Sequence, residues 1–365
     1  MEKHKYLPFV LAIFGSACAA APQAVSTAQT SPASPSEASM PPDGQVVAIG
    51  RTFTLSSKVW GAPRRLSIRL PAEYTRSSTA TFPVVYLVDG GPEQDFPHIA
   101  GLLQSREVNH TFAPFILVGV ETVQRRRELT PPAQNADVYE RLLRSTPGSS
   151  SKFRRFVKDE VMPWVNQRFR TSGRTAVIGE SLAGLFIVET LFSAPDLFDD
   201  YIAVSPSLWW EEAHYGREAR QYLQKLPPGQ RRLYLTMGNE GFMMQRGLDL
   251  LVEALESTAP SGLAWAYVPK SDRETHASIY HGAALDAFRL LFPTPTRVYP
   301  PMPLMVDAAS RPPLDVPESG RNHRCTLENS RRGTPADTRV IPLQGDYTCW
   351  IYDLGDRAAA GKLSP

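Results

Sequence analysis

Ser181 lies in the run TAVIGESLAGLFIVET, where an apolar stretch of strand character, residues 175–178, passes through Gly179, an acid and the serine into an apolar stretch of helix character. A serine hydroxyl is a weak nucleophile until a tight turn lifts it clear of its neighbours and toward a base. Such a turn needs minimal side chains two residues either side of the serine, so that strand and helix can close on one another. Gly179 fills the first of these positions, and Ala183, followed by Gly184, the second. The turn also aims the first amides of the helix at the serine, which places the Leu182 N–H to hold an oxyanion. The chemistry suited to this pattern is acyl transfer through a covalent serine ester.

A serine nucleophile needs a base, and the base needs a group that orients it. Where the nucleophile sits on such a turn, the order along the chain is serine, acid, histidine, each on a loop after a strand. The strand-like runs after the turn are residues 201–204 (YIAV), 233–237 (LYLTM) and 264–268 (AWAYV). The second leads into Gly238-Asn239-Glu240-Gly241, and the third into a polar loop that reaches His276. His276 is therefore the expected base, with His281 on the following helix as the next candidate. His98, His110 and His214 fall outside this order. Glu240 is the expected acid; Asp272 and Glu274, just before the histidine, are alternatives, and so is a serine–histidine dyad with no acid.

The second oxyanion amide is expected after residues 84–88 (VVYLV), where Asp89-Gly90-Gly91 follows directly; Gly90 is the expected donor and Gly91 the alternative. Arg125 and Arg127 follow the run 115–120 (FILVGV) at the same end of the sheet. Guanidinium groups there suit catecholate or carboxylate oxygens of a substrate, against the plainer reading of solvated surface arginines. Trp209 and Trp210 follow residues 201–204, where Trp209 offers a wall for a ring and burial is expected for at least one of the two.

These side chains must be held by a scaffold, and the pattern specifies it. Residues 51–58 and 64–70 alternate apolar and polar, as in a half-exposed antiparallel hairpin. From residue 83 the strands become continuous apolar runs, the mark of strands covered on both faces, alternating with helix-like stretches at 151–169, 182–192, 246–256 and 281–291. The expectation is an α/β fold with a mostly parallel, doubly wound sheet, an N-terminal antiparallel edge, and the site at the carboxyl ends of the strands.

The 365 residues, 42% hydrophobic and 21% charged, suit a globular chain of one large domain and an extension, or of two modest domains. A net charge of +2 with mixed signs argues against nucleic acid as a partner and suits a neutral or mildly acidic small-molecule substrate, which the serine chemistry above would make an ester. Residues 1–24 read as a secretory signal peptide, with Lys3 and Lys5 ahead of an apolar run too short to span a bilayer. A periplasmic or secreted location follows, with lipidation of Cys18 the less favoured variant because Gly15 stands where an aliphatic residue is usual. Residues 25–45, rich in Ser, Pro and Ala, are expected to be a flexible linker, residues 46–293 the catalytic domain, and residues 294–365 a proline-rich linker with a small C-terminal extension. Once Cys18 is set aside, Cys325 and Cys349 remain, and an oxidising compartment favours one disulfide between them. Neither cysteine nor histidine spacing suggests a metal, and no cofactor is expected.

Four motifs in order, YLVDGG, RRRELTP, VIGESLAGLF and YIAVSPSLWW, resemble the putative-esterase family of α/β-hydrolases, which includes enterochelin and salmochelin esterases, esterase D and the mycolyltransferases. The likeness covers roughly residues 52–292 and is strongest to the periplasmic, siderophore-esterase-like branch. It implies an α/β-hydrolase fold, Ser181 as nucleophile, His276 as base, the amides of Gly90 and Leu182 as oxyanion donors, and an activity on carboxylic esters such as those of catecholate siderophores. It also implies that a Ser–His dyad can suffice. Ala183 departs from the family's more usual glycine, and the cysteine-bearing tail is an addition to the family core. Feruloyl or acetyl carbohydrate esterase, acyltransferase, and a non-catalytic binding protein on the same scaffold are the alternatives.

Overall fold

A computed structural model describes residues 45–294 and two short strands, Arg324–Cys325 and Tyr347–Thr348. The expected signal peptide, most of the linker, Cys18 and Cys349 lie outside the described residues, and with Cys349 the expected disulfide. Cys325 pairs across its two-residue ladder with Tyr347.

Eight strands form one sheet: β1 (Arg51–Ser57), β2 (Ala62–Arg69), β3 (Phe82–Val88), β4 (Ile116–Val120), β5 (Thr171–Glu180), β6 (Asp200–Val204), β7 (Arg231–Met237) and β8 (Leu263–Pro269), in the order β1-β2-β4-β3-β5-β6-β7-β8. β1 and β2 form the expected antiparallel hairpin, which turns through Gly61 at φ +68° and joins the sheet by antiparallel pairing of β2 with β4. All later pairings are parallel. The sheet is therefore the mostly parallel, doubly wound one with an N-terminal antiparallel edge that the apolar runs specify.

Side-chain alternation divides the core in two. Along β3, Val84, Tyr86 and Val88 face one apolar layer, while Val85 and Leu87 face the other. The first layer is closed by the helices Leu182–Ser193, Trp210–Arg217 and Phe242–Thr258 and by the helical stretch from Ser150 to Arg168. The second is closed by Phe96–Asn109 and Ile279–Leu291, where Phe112, Phe115, Phe288 and Phe292 pack ring on ring. Leu182–Ser193 is buried almost throughout because it runs beneath the centre of the sheet; its one acid, Glu189, is held by Arg154 (2.7 Å) and Ser150 (3.0 Å).

One expected element differs. The single helix at 151–169 is instead Ser150–Phe156 and Met162–Arg168 joined by a π-helical turn, Val157–Val161. Pro163 has no N–H for the regular ladder and crowds the carbonyl four residues earlier, and a wider turn ahead of it accommodates both.

Candidate active site

β5 ends at Glu180, and the chain turns at Ser181 directly into the helix Leu182–Ser193. Ser181 has φ 62° and ψ −117°, a conformation that costs an L-residue roughly 1–3 kcal/mol. The surroundings hold it there: Ser181 N–H donates to Val204 O (3.0 Å), and Ser181 O accepts from Leu185 N–H (2.9 Å) and Ser207 N–H (3.0 Å). Small residues make the turn possible. A Cβ on Gly179 would stand 2.5 Å from the Ala183 Cβ, and one on Gly184 would stand 2.8 Å from the Pro206 Cα. Alanine at 183 is accommodated because Gly179 opposite it carries no side chain. Ser181 Oγ has Ser207 Oγ as a hydrogen-bond neighbour at 3.3 Å.

His276 follows β8 and Glu240 follows β7, and the two loops are tied together where Asn239 N–H donates to Glu274 O (2.7 Å). Gly238 lets the strands of chain approach this closely, since a Cβ there would meet Glu274 O at 2.8 Å. Glu240 Oε2 accepts from His276 Nδ1 at 2.7 Å. Its other oxygen accepts from the hydroxyl of Ser205 and from Gly238 N–H (3.3 Å). The Glu240 side chain is 2% exposed, and donors engage both of its oxygens. The hydrogen bond from Glu240 raises the His276 imidazole above the ordinary histidine range, against burial, which lowers it, and with Glu240 and Glu180 charges adding to the rise. With Nδ1 engaged by the carboxylate, Nε2 is the ring nitrogen left to accept a proton.

The alternative acids are occupied elsewhere. Asp272 pairs with Arg273 (3.2 Å), and Glu274 accepts from Ser278 Oγ (2.6 Å). His281 lies against His98, with ring centroids 5.8 Å apart, and burial lowers its pKa. His214 bonds Tyr222 Oη (2.9 Å), and His110 ends the helix Phe96–Asn109.

Leu182 N–H is the first amide of its helix, without an intrahelical acceptor by position, and it stands next to Ser181. The expectation for Gly90 is corrected. Its N–H donates to Val120 O (3.0 Å), continuing the β3–β4 ladder, and its missing side chain serves close packing, because a Cβ there would overlap the Cα of Gly119. Gly91 N–H, one residue on, donates to Gln94 Oε1 (2.9 Å), a side-chain acceptor fixed in turn by Thr122 O (2.9 Å).

Arg125 comes to the same place. Its Nε donates to Asp89 Oδ2 (2.6 Å) and its Nη2 to the backbone oxygen of Glu180 (3.4 Å), while Asp89 also accepts from Thr122 Oγ1. Arg127, on the same short helix, Arg125–Glu128, bonds Ser149 Oγ (3.2 Å) and Gln124 Oε1 (3.3 Å) instead. Trp210 is buried, and Trp209 is half-buried and stacked on Tyr139 at 6.3 Å and 10°. Ser205, Ser207 and Asp89 join the site without having been singled out in the sequence; the SPS of YIAVSPSLWW and the aspartate ahead of the two glycines are the signals that pointed to them.

A model of the family described as "Putative esterase" matches residues 57–292. A siderophore enterobactin esterase of Emericella nidulans is 32% identical over 180 residues, 44% of this chain and 59% of that protein. The ferri-bacillibactin esterase BesA of Bacillus subtilis is 32% identical over 145 residues, 36% of this chain and 50% of that one. The chain thus spans about half to three fifths of the curated relatives it matches. The crystal structure of an IroE-like serine hydrolase from Shewanella oneidensis is 28% identical, covers 67% of this chain and 80% of its own, and superimposes with a TM-score of 0.59.

Proposed function

This chain belongs to the putative-esterase family and has the α/β-hydrolase fold, and from that premise we propose that it hydrolyses small carboxylic esters of the siderophore kind through a serine acyl-enzyme. The observation that carries the reading is the relay of Ser205, Glu240 and His276 at the carboxyl end of the sheet, the end at which Ser181 is held in a strained turn. Ser181 Oγ attacks the ester carbonyl while His276 Nε2 takes its proton, and Glu240 stabilises the imidazolium through Nδ1–H. The oxyanion is held by Leu182 N–H and, once Gln94 gives way, by Gly91 N–H. His276 then protonates the departing alkoxide. Water, deprotonated by His276, releases the acid and restores Ser181.

The siderophore substrate class rests on the relatives' activities and on Arg125, whose guanidinium, anchored by Asp89 and the backbone oxygen of Glu180, suits an anionic oxygen. The apolar N-terminal run supports action outside the cytoplasm. The test is hydrolysis of a short-chain p-nitrophenyl ester and labelling by a fluorophosphonate, with Ser181→Ala beside the wild type. Loss of both in a folded variant is expected, by roughly 10⁴-fold or more in kcat. A wild-type protein that is folded yet neither hydrolyses nor labels would sink the reading.

A further inference from the structure

Glu180, the residue before the nucleophile, has a buried carboxyl oxygen, Oε1, to which no protein group hydrogen bonds among the described residues. Glu189 has such an oxygen too, Oε2, but it and the other buried acids that build the fold each have an arginine bonded to them, which Glu180 does not. Glu128 is bound by Arg64 (2.9 Å), Glu189 by Arg154 (2.7 Å), and Asp200 by both Arg174 (3.1 Å) and Arg232 (2.6 Å). Charged groups face Glu180 from four elements: His276 after β8, Glu240 after β7, Asp95 ahead of the helix Phe96–Asn109, and Arg125 after β4. The two cationic groups among them are otherwise engaged, Arg125 Nε with Asp89 and His276 Nδ1 with Glu240. A carboxyl with one oxygen shut away from water, two acids nearby and no cation bonded to it holds its proton more tightly than an exposed one. Burial first of all, with Asp95 and Glu240 adding and His276 and Arg125 opposing, pushes Glu180 up to about 7.

We propose that Glu180 is a specificity-determining residue, whose carboxyl must be protonated for the site to accept an ester that carries a negative charge near the scissile bond. Protonated, it adds no charge beside Ser181 and offers an O–H to a substrate oxygen. Ionised, it joins Glu240 and Asp95 as a third anion and repels the substrate. The inference rests on the ester-hydrolase reading and sharpens it to an anionic substrate class, selected by pH. Neutral esters feel the O–H but not the repulsion.

The test compares two aryl acetates that differ in charge, 4-acetoxybenzoate and its neutral methyl ester, by release of the phenol between about pH 6 and pH 8. The ratio of their kcat/KM values cancels the titration of His276, which both substrates need in its neutral form. In the wild type the ratio of anionic to neutral ester is expected to fall about tenfold over this range, as a carboxyl near 7 ionises. In Glu180→Gln it is expected to be independent of pH. A wild-type ratio that stays flat overturns the inference whether or not the variant folds, and so does an equal fall in the variant. Failure of the wild type to cleave even the neutral ester overturns the hydrolase reading, and this one with it; hydrolysis with a flat ratio overturns this one alone.

Discussion

Two buried carboxylates, at opposite ends of the sheet, are treated in opposite ways. Asp200 opens β6 and is fully buried, with Arg174 and Arg232 each binding both of its oxygens. Glu240 follows the neighbouring strand at the carboxyl end and is nearly as buried, yet its one ionisable partner is a histidine. An arginine keeps its proton in any protein setting, so the Asp200 cluster is fixed in charge and serves the fold. A histidine changes charge near neutrality, so the Glu240 cluster can pass through two protonation states. The type of partner, rather than depth of burial, separates the acid that holds the structure from the acid proposed to serve the reaction.

Substitutions can break this contrast. Glu240→Gln is expected to have the largest effect, roughly 10³-fold in kcat with little change in melting temperature, because the amide keeps the packing but cannot stabilise the imidazolium; ester turnover and thermal melting on one preparation check both halves. Asp200→Asn should do the reverse. It leaves two part-exposed guanidinium groups facing a neutral amide, costs about 2 kcal/mol of stability by urea unfolding, and leaves kcat of the folded protein alone. Ser205→Ala removes one donor to Glu240 and is expected to lower kcat roughly tenfold. Equal loss of stability and activity in all three variants would erase the distinction between the two ends.

The smallest effect is in pH. Since Glu240 raises His276, the acidic limb of kcat/KM should lie above about pH 6.5, and Glu240→Gln should move it down. Stability runs the other way. A histidine whose folded pKa is raised stabilises the fold fully below its unfolded value, and that contribution is lost as pH rises through the folded value. The same proton that protects the fold therefore stops the reaction, and a limb at or below the unperturbed value in the wild type would contradict the Glu240–His276 bond.

The legible part of the site was the part set by local sequence. The turn at Ser181 shows in five residues because its steric needs fall on near neighbours, and Glu240 and His276 emerge from counting strands, since parallel strands send their loops to one end. Gly90 was misread because the fate of its amide depends on Val120 in a different strand, and a glycine kept for close packing looks the same in sequence as one kept for an exposed N–H. Ser205 and Ser207 carry no local mark of a role, because only the fold brings them to Glu240 and Ser181. The helix at 151–169 shows the same limit, as its apolar period persists through a widened turn that only Pro163 betrays.

The backbone of Ser181 makes the proposed nucleophile the position at which the fold and the reaction want different residues. With φ at 62° and ψ at −117°, glycine is the residue the turn prefers, and any side chain there is carried at the expense of thermal tolerance. Among inactive variants Ser181→Gly should therefore melt above Ser181→Ala, by the few degrees that about 1 kcal/mol represents. Heat-tolerant forms selected without regard to turnover would be expected to lose this serine early, so screens for robustness need an activity filter at residue 181.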